Sequence, residues 1–198
     1  MIPIQNIYYM LSYAFQVLNE QGYKNIATEQ FNNTGELMAA ILEKGIAIQL
    51  KRGLGKEYIL QTEALSSLRG KIDIAESIKT QSMLRKQLIC TYDEFSVNSI
   101  MNRIIKSTVE LLLRSNISKQ RKKNLRKLMV YFSEVDFIDL YTVNWNVQYN
   151  RNNQTYHMLI SICYLVVKGL LQTQSNGHTE LMDFLDCLLY TSPSPRDA

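Results

Sequence analysis

Ile4, Ile7, Tyr8, Leu11, Phe15 and Leu18 recur at steps of three and four, the spacing of one helix face. Asn6 can accept a bond from an unpaired backbone N–H, so a helix is expected over about 7–20, ended by Gly22. Residues 21–33 are polar and predict a loop. A second helix is expected over 34–52, capped by Thr34, with Leu37, Ile41, Gly45, Ile46 and Ile48 inward, and Gly53 and Gly55 end it. The period then changes to two. Tyr58, Leu60 and Thr62 alternate with Glu57, Ile59 and Gln61, and residues 69–74 alternate again with Ile72 and Ile74 on one face and Gly70 at a turn. A short helix over 75–82 and a strand over 88–95 follow. Ile100, Ile104, Ile105, Thr108, Leu111 and Leu112 then mark a helix over about 98–115. After a break at 116–118, a helix over 119–132 turns Leu125, Leu128, Met129 and Phe132 inward, and the short connection predicts that it packs antiparallel on its predecessor. Residues 135–149 are aromatic and β-branched, 150–153 read as a turn, and a helix over 154–172 is apolar almost all round, hence buried.

The fold class read from this pattern is α+β: a mostly helical domain with a small antiparallel β-sheet around residues 57–95. No internal repeat is visible. The 198 residues, 46% hydrophobic and 20% charged, exclude wholesale disorder and fibrous folds. Three cysteines argue against a disulfide scaffold. The N-terminus has no basic segment or cleavage site of a signal peptide. The longest uncharged apolar run, 158–167, is too short to span a bilayer. A cytoplasmic protein with no membrane partner is expected.

Most catalytic patterns are absent from the sequence. Cys90, Cys163, Cys187, His157 and His178 show no zinc-ligand spacing. Gly53-Leu54-Gly55-Lys56 is superficially like a phosphate loop, but Leu50 stands where the first glycine belongs and Glu57 replaces the metal-binding hydroxyl. A helix end followed by a strand fits better. Metal-dependent nucleases often place an acidic residue two positions before a lysine, so that both share one strand face. None of the thirteen lysines has such a partner; Glu76 and Lys79 have the wrong parity, and Asp136 and Asp139 lack a lysine.

One charge feature stands out against a net charge of only +4. Lys119, Arg121, Lys122, Lys123, Arg126 and Lys127 fall within nine residues. Lys119, Lys122, Lys123, Arg126 and Lys127 can share a broad helix face, suited to DNA phosphates or an acidic partner, or simply solvated. No aromatic residue interleaves with them, which weighs against single-strand binding.

Longer segments carry a family resemblance. IPIQNIYYMLSYAF at 2–15, LRGKIDIAESIK at 68–79, YDEFSVNSIMNRIIKST at 92–108 and ISICYLVVKGLL at 160–171 resemble, in order, the McrC family, the nuclease subunits of the bacterial McrBC modified-cytosine restriction systems that defend against phage. The resemblance covers roughly residues 2–186. It implies an N-terminal region that docks on the hexameric ring of the McrB GTPase and stimulates it, and a C-terminal PD-(D/E)xK nuclease domain that cuts DNA with Mg²⁺. DNA is then met through the full complex, and McrB reads the modified base.

The sequence departs from that pattern at CLLYTSPSPRDA, 187–198, which holds two of the three prolines. This tail resembles an adaptor-derived ending and is expected to be non-native. Residues 1–186 are then expected to be the motor-docking region, without the nuclease domain. No catalytic, metal or cofactor residue carries over; Mg²⁺ is implied for the missing domain and GTP for the partner. The fragment is expected to be inactive alone. Among Arg52, Arg69 and Arg85, none is singled out as the stimulating group. The alternative reading is a DNA-backbone-binding helical module built on the basic helix at 119–127.

Overall fold

A computed structural model describes residues 4–19, 23–149 and 154–172. The expected turn at 150–153, His178, Cys187 and the 187–198 tail lie outside the described residues. The chain divides into two compact units, one of residues 1–54 and 101–198 and the other Gly55–Ile100.

The first unit is helical. Helix α1, Ile4–Ala14, buries Ile7, Tyr8 and Leu11. Asn6 lies inside it rather than capping it. The chain then tightens into a 3₁₀ turn, Gln16–Asn19, with Leu18 fully buried and the Tyr8 hydroxyl donating to the Leu18 carbonyl at 3.1 Å. The polar stretch expected to be a loop contains a short helix, α2, Lys24–Thr28. Two buried apolar side chains, Tyr23 and Ile26, fix it there, a tertiary effect that local polarity does not reveal.

Helix α3, Thr34–Arg52, has the expected extent but a different cap. Asn33 is extended and its side-chain oxygen accepts from the Glu36 amide at 2.8 Å, so Thr34 is the first helical residue. Leu37, Ile41 and Ile46 are buried as expected, and Ile48 is half-buried. Gly53, at φ +90, ends the helix with its N–H on the Leu50 carbonyl.

Helix α5, Ile100–Arg114, and helix α6, Lys119–Met129, follow the expected segmentation, with a 3₁₀ turn at Val130–Phe132 completing the second. Helix α6 packs along α3, a partner that the expected antiparallel pairing with α5 did not name. A part-buried ionic cluster ties α6 to α3. Residues 135–149 hold no strand. They are pinned to α5 instead, where Lys106 Nζ donates to the Phe132 and Val135 carbonyls at 2.9 and 2.5 Å and Ser107 Oγ accepts from the Ile138 amide at 2.8 Å. Helix α7, Gln154–Gln172, buries Tyr156, Ile162, Cys163 and Val166 among others and packs on α3, as its all-round apolarity predicts. Gly45 permits that approach: a Cβ there would lie 2.5 Å from Leu159 Cδ2 and 3.0 Å from the Tyr23 hydroxyl.

The second unit is a three-stranded antiparallel sheet, in the order β1-β3-β2. Strand β1 is Glu57–Leu65, β2 is Lys71–Asp73 and β3 is Leu88–Ser96. Strands β1 and β3 pair from Glu57↔Ser96 to Leu65↔Leu88, and Ile72 of β2 faces Cys90. The strand expected over 69–74 is shorter because Asp73 accepts from the Glu76 amide at 2.9 Å and starts helix α4, Ile74–Lys79. Ile74 therefore leaves the Ile72 face and is exposed. Gly70, at φ +67, passes against Thr91 and Tyr92, where a Cβ would sit 2.6 Å from Tyr92 Cβ. The α+β class is thus as expected.

Candidate functional site

The basic helix α6 is anchored before it is charged. Ser118 caps it by accepting from the Arg121 amide at 3.3 Å. The Ser118 amide and hydroxyl in turn donate to Glu36 on α3, at 2.8 and 2.7 Å. Leu125 is fully buried. Arg121 points the same way as Leu125 and reaches three carboxylates, Glu29 at 2.5 Å, Glu43 at 2.9 Å and Glu36 at 3.5 Å. Asn124 donates to Glu43 at 2.9 Å. Burial pushes the Glu36 carboxyl up, but the Ser118 bonds and the Arg121 charge outweigh it and hold the group below its ordinary value. Arg121 is held above its own ordinary value despite its burial, through the hydrogen bonds and charges of Glu43 and Glu29.

That clamp separates the cluster into two roles. Arg121 is spent on the fold. At 100° per residue, Lys119, Lys123, Arg126 and Lys127 occupy the arc turned away from Arg121 and Leu125, and Lys122 lies at its edge, about 60° from Leu125. Lys119, Lys123, Arg126 and Lys127 are exposed and Lys122 is half-buried. Among the described residues none of these five enters an ion pair.

The sheet unit offers a surface of the opposite character. Pairing places Tyr58 opposite Phe95, their rings 5.0 Å apart between centroids. Leu60 lies two residues along the same face, and the Thr62 and Thr91 hydroxyls meet at 3.0 Å. Tyr58 is 75% exposed, Leu60 66% and Phe95 55%, and Lys56 Nζ lies 5.8 Å from the Phe95 ring centroid. The other face is ordered by Tyr92, whose hydroxyl donates to Glu63 and whose ring carries the Arg69 guanidinium at 4.1 Å. Arg69 and Arg85 are exposed on this unit, and Arg52 is exposed at the end of α3. The period-two pattern in 57–62 already put Tyr58, Leu60 and Thr62 on one face. Alternation with the polar Glu57 and Gln61 would turn that face inward, and the structure exposes it instead.

Chemistry is sparse elsewhere. Among the described residues no group of three or more His, Cys, Asp or Glu is placed to hold a metal ion. The three glutamates around Arg121 enclose a guanidinium, so this donor set does not fit Mg²⁺. Gly53 and Gly55 connect α3 to β1 rather than converging amides on a phosphate. His157 lies edge-on to Phe15 and Tyr149, at 5.7 and 4.8 Å, and burial lowers its pKa. Burial pushes the Cys163 thiol up to about 12, so it is no nucleophile. Among the described residues no helix is long and apolar enough to cross a membrane.

Residues 5–186 match the McrBC 5-methylcytosine restriction system component family. The chain is 28% identical over 185 residues to the type IV methyl-directed restriction enzyme EcoKMcrBC of Escherichia coli K12, covering 92% of this chain and 53% of that one. Its fold is similar to a chain of the Thermococcus gammatolerans McrBC complex, with a TM-score of 0.60 at 22% identity over 82% of this chain and 50% of that one. It is similar also to a chain of the assembly of T. gammatolerans McrB AAA+ hexamers with bound McrC, with a TM-score of 0.57 at 21% identity over 79% of this chain and 40% of that one. The chain thus spans about half the length of these relatives. The match runs through all four segments on which the McrC resemblance rests, save the first three residues of the opening one, and the chain belongs to the McrBC 5-methylcytosine restriction system component family.

Proposed function

We propose that this chain is the motor-docking part of an McrC-like subunit of a GTP-dependent, 5-methylcytosine-specific restriction endonuclease. It engages an McrB-like hexameric GTPase ring through the Gly55–Ile100 unit and stimulates GTP hydrolysis there. The observation that carries this reading is the outward Tyr58–Leu60–Phe95 face. Three large apolar side chains on one rigid sheet face form an anchor of the kind protein interfaces use. Fully burying each is worth about 1.5–3 kcal/mol. That the relatives include McrB hexamers with bound McrC supports the choice of partner. On this reading GTP belongs to the ring. DNA cleavage with Mg²⁺ belongs to a PD-(D/E)xK domain that residues 1–186 do not include, and the 187–198 tail takes no part.

The unit's two arginines are Arg85 and Arg69, the latter on the Tyr92 face of the sheet; a guanidinium of this kind stabilises charge on a transferring phosphoryl group of a neighbour's nucleotide. The test mixes the purified chain with a purified McrB-like hexamer and follows GTP turnover. Stimulation by the chain is expected. Loss of stimulation in the Tyr58→Asp/Leu60→Asp variant, with its circular dichroism unchanged, is expected too. Unchanged stimulation by that variant, or Mg²⁺-dependent DNA cleavage by the chain alone, would overturn the reading.

A further inference from the structure

The exposed arc of α6 is a second surface, on the other unit and of opposite character. We infer that Lys119, Lys122, Lys123, Arg126 and Lys127 form a contact surface for the sugar-phosphate backbone of duplex DNA. The surface reads no sequence and is independent of the sheet-unit docking face.

Four observations converge on that occupant. First, the five cations share one arc and none enters an ion pair among the described residues. Second, their arrangement works against the helix. Lys119–Lys123, Lys122–Arg126 and Lys123–Lys127 are like-charge pairs four apart, each destabilising. Lys119 and Lys122 also place positive charge on the positive end of the helix dipole. The fold holds the helix in spite of them, through Leu125, the Ser118 cap and the Arg121 clamp. Positive charge retained against its local cost points to an anionic partner that removes that cost. Third, from Lys119 to Lys127 the arc presents no exposed apolar side chain, since Leu125 is buried; the exposed Val130 and Tyr131 follow in the 3₁₀ turn beyond it. The arc itself is rich in lysine, in which protein interfaces are depleted, so an acidic protein is the poorer fit. Fourth, the charge is local. The sheet unit carries six basic and six acidic residues, Gly55 to Ile100, so the excess lies wholly on the helical unit.

The scale matches a backbone. Eight residues of helix rise about 12 Å, and one DNA strand carries a phosphate about every 3.4 Å along its axis, so the arc covers about three to four phosphates. Affinity should then fall with salt at a log–log slope of about −3, so that raising salt from about 50 to about 200 mM weakens binding roughly 60-fold. Arg contributes paired donors to phosphate and Lys a mobile point charge.

The test is fluorescence anisotropy of the full chain with an unmethylated duplex across that salt range. Lys122→Gln/Lys123→Gln/Arg126→Gln/Lys127→Gln should flatten the slope nearly to zero. The milder Lys123→Gln/Lys127→Gln should reduce it by about two, which keeps the test sound if the larger variant folds poorly. Substituting methylated DNA or another sequence should change neither affinity nor slope. Stimulation of an McrB-like GTPase by the milder variant should stay at the wild-type level, so failure here is distinct from failure of the docking reading. A wild-type slope that survives the milder variant, no salt-dependent binding at all, or equally tight binding of poly-glutamate would each overturn the inference.

Discussion

Replacing Arg121 with methionine is the most informative single change to the helical unit. Methionine keeps most of the aliphatic volume but removes the cation that three glutamates share. Arg121 is 14% exposed, Glu36 11% and Glu43 21%. Breaking a fully buried pair costs about 3–5 kcal/mol because the partner charge stays behind. Here the carboxylates keep some water, Glu29 is nearly half exposed, and the Ser118 bonds to Glu36 survive, so about 2–3 kcal/mol is expected. For a domain this size that lowers Tm by about 4–12 °C. The pH dependence gives a sharper signature. Glu36 titrates below its ordinary value in the folded chain. Its contribution to stability is therefore present above the usual glutamate range and lost as pH falls through the lowered folded value. Without Arg121 the burial of Glu36 is less opposed, so its pKa rises and the gap between variant and wild type narrows in acid. Differential scanning calorimetry at neutral and acidic pH measures both effects. Adding Glu36→Gln and Glu43→Gln to Arg121→Met should restore part of the loss. A Tm within about 1 °C of wild type at neutral pH, or a gap that widens in acid, would refute the reasoning.

Three further outcomes follow from other contacts. Gly45→Ala should destabilise despite better helix propensity: the gain is about 1 kcal/mol at most, whereas wedging a Cβ 2.5 Å from Leu159 costs about 1–3 kcal/mol, so chemical denaturation should show a net loss. Gly70→Val should raise hydrogen exchange in the β2–β3 pairing while leaving α3 and α7 protected, because the residue sits at φ +67 against the Thr91 and Tyr92 backbone. Cys163, buried with its thiol pushed up to about 12, should resist alkylation in the native chain and react on unfolding, as peptide mapping after iodoacetamide would show.

The parts of the fold legible in sequence are those where one signal dominates. The 154–172 helix is legible because it is apolar almost all round, with only a narrow polar stripe at His157, Ser161 and Lys168. The α3 end was clear because Gly53 at φ +90 is a position for glycine. Three features were hidden because they depend on distant partners. The α2 turn exists through the burial of Tyr23 and Ile26. The pairing of α6 with α3 depends on Glu36 and Glu43, some eighty residues before Arg121 and Asn124. The shortening of β2 depends on Asp73 choosing a helix cap over a strand. The shared face of the five basic residues could be read from helical spacing alone. That Arg121 leaves the cluster to hold the helix could not, since its partners lie on another element. The Tyr58–Leu60–Phe95 face needed the register with β3, which no local pattern supplies.

The most direct test of the docking surface is site-specific photocrosslinking in the assembled complex with an McrB-like hexamer. A photoreactive phenylalanine analogue is placed at Tyr58 in one preparation and at Tyr131 in another, both exposed aromatic positions but on different units. Crosslinks from position 58 to the GTPase ring, and none from position 131, are predicted. Crosslinks from position 131 alone would place the ring on the helical unit and contradict the assignment of the sheet face as the docking surface.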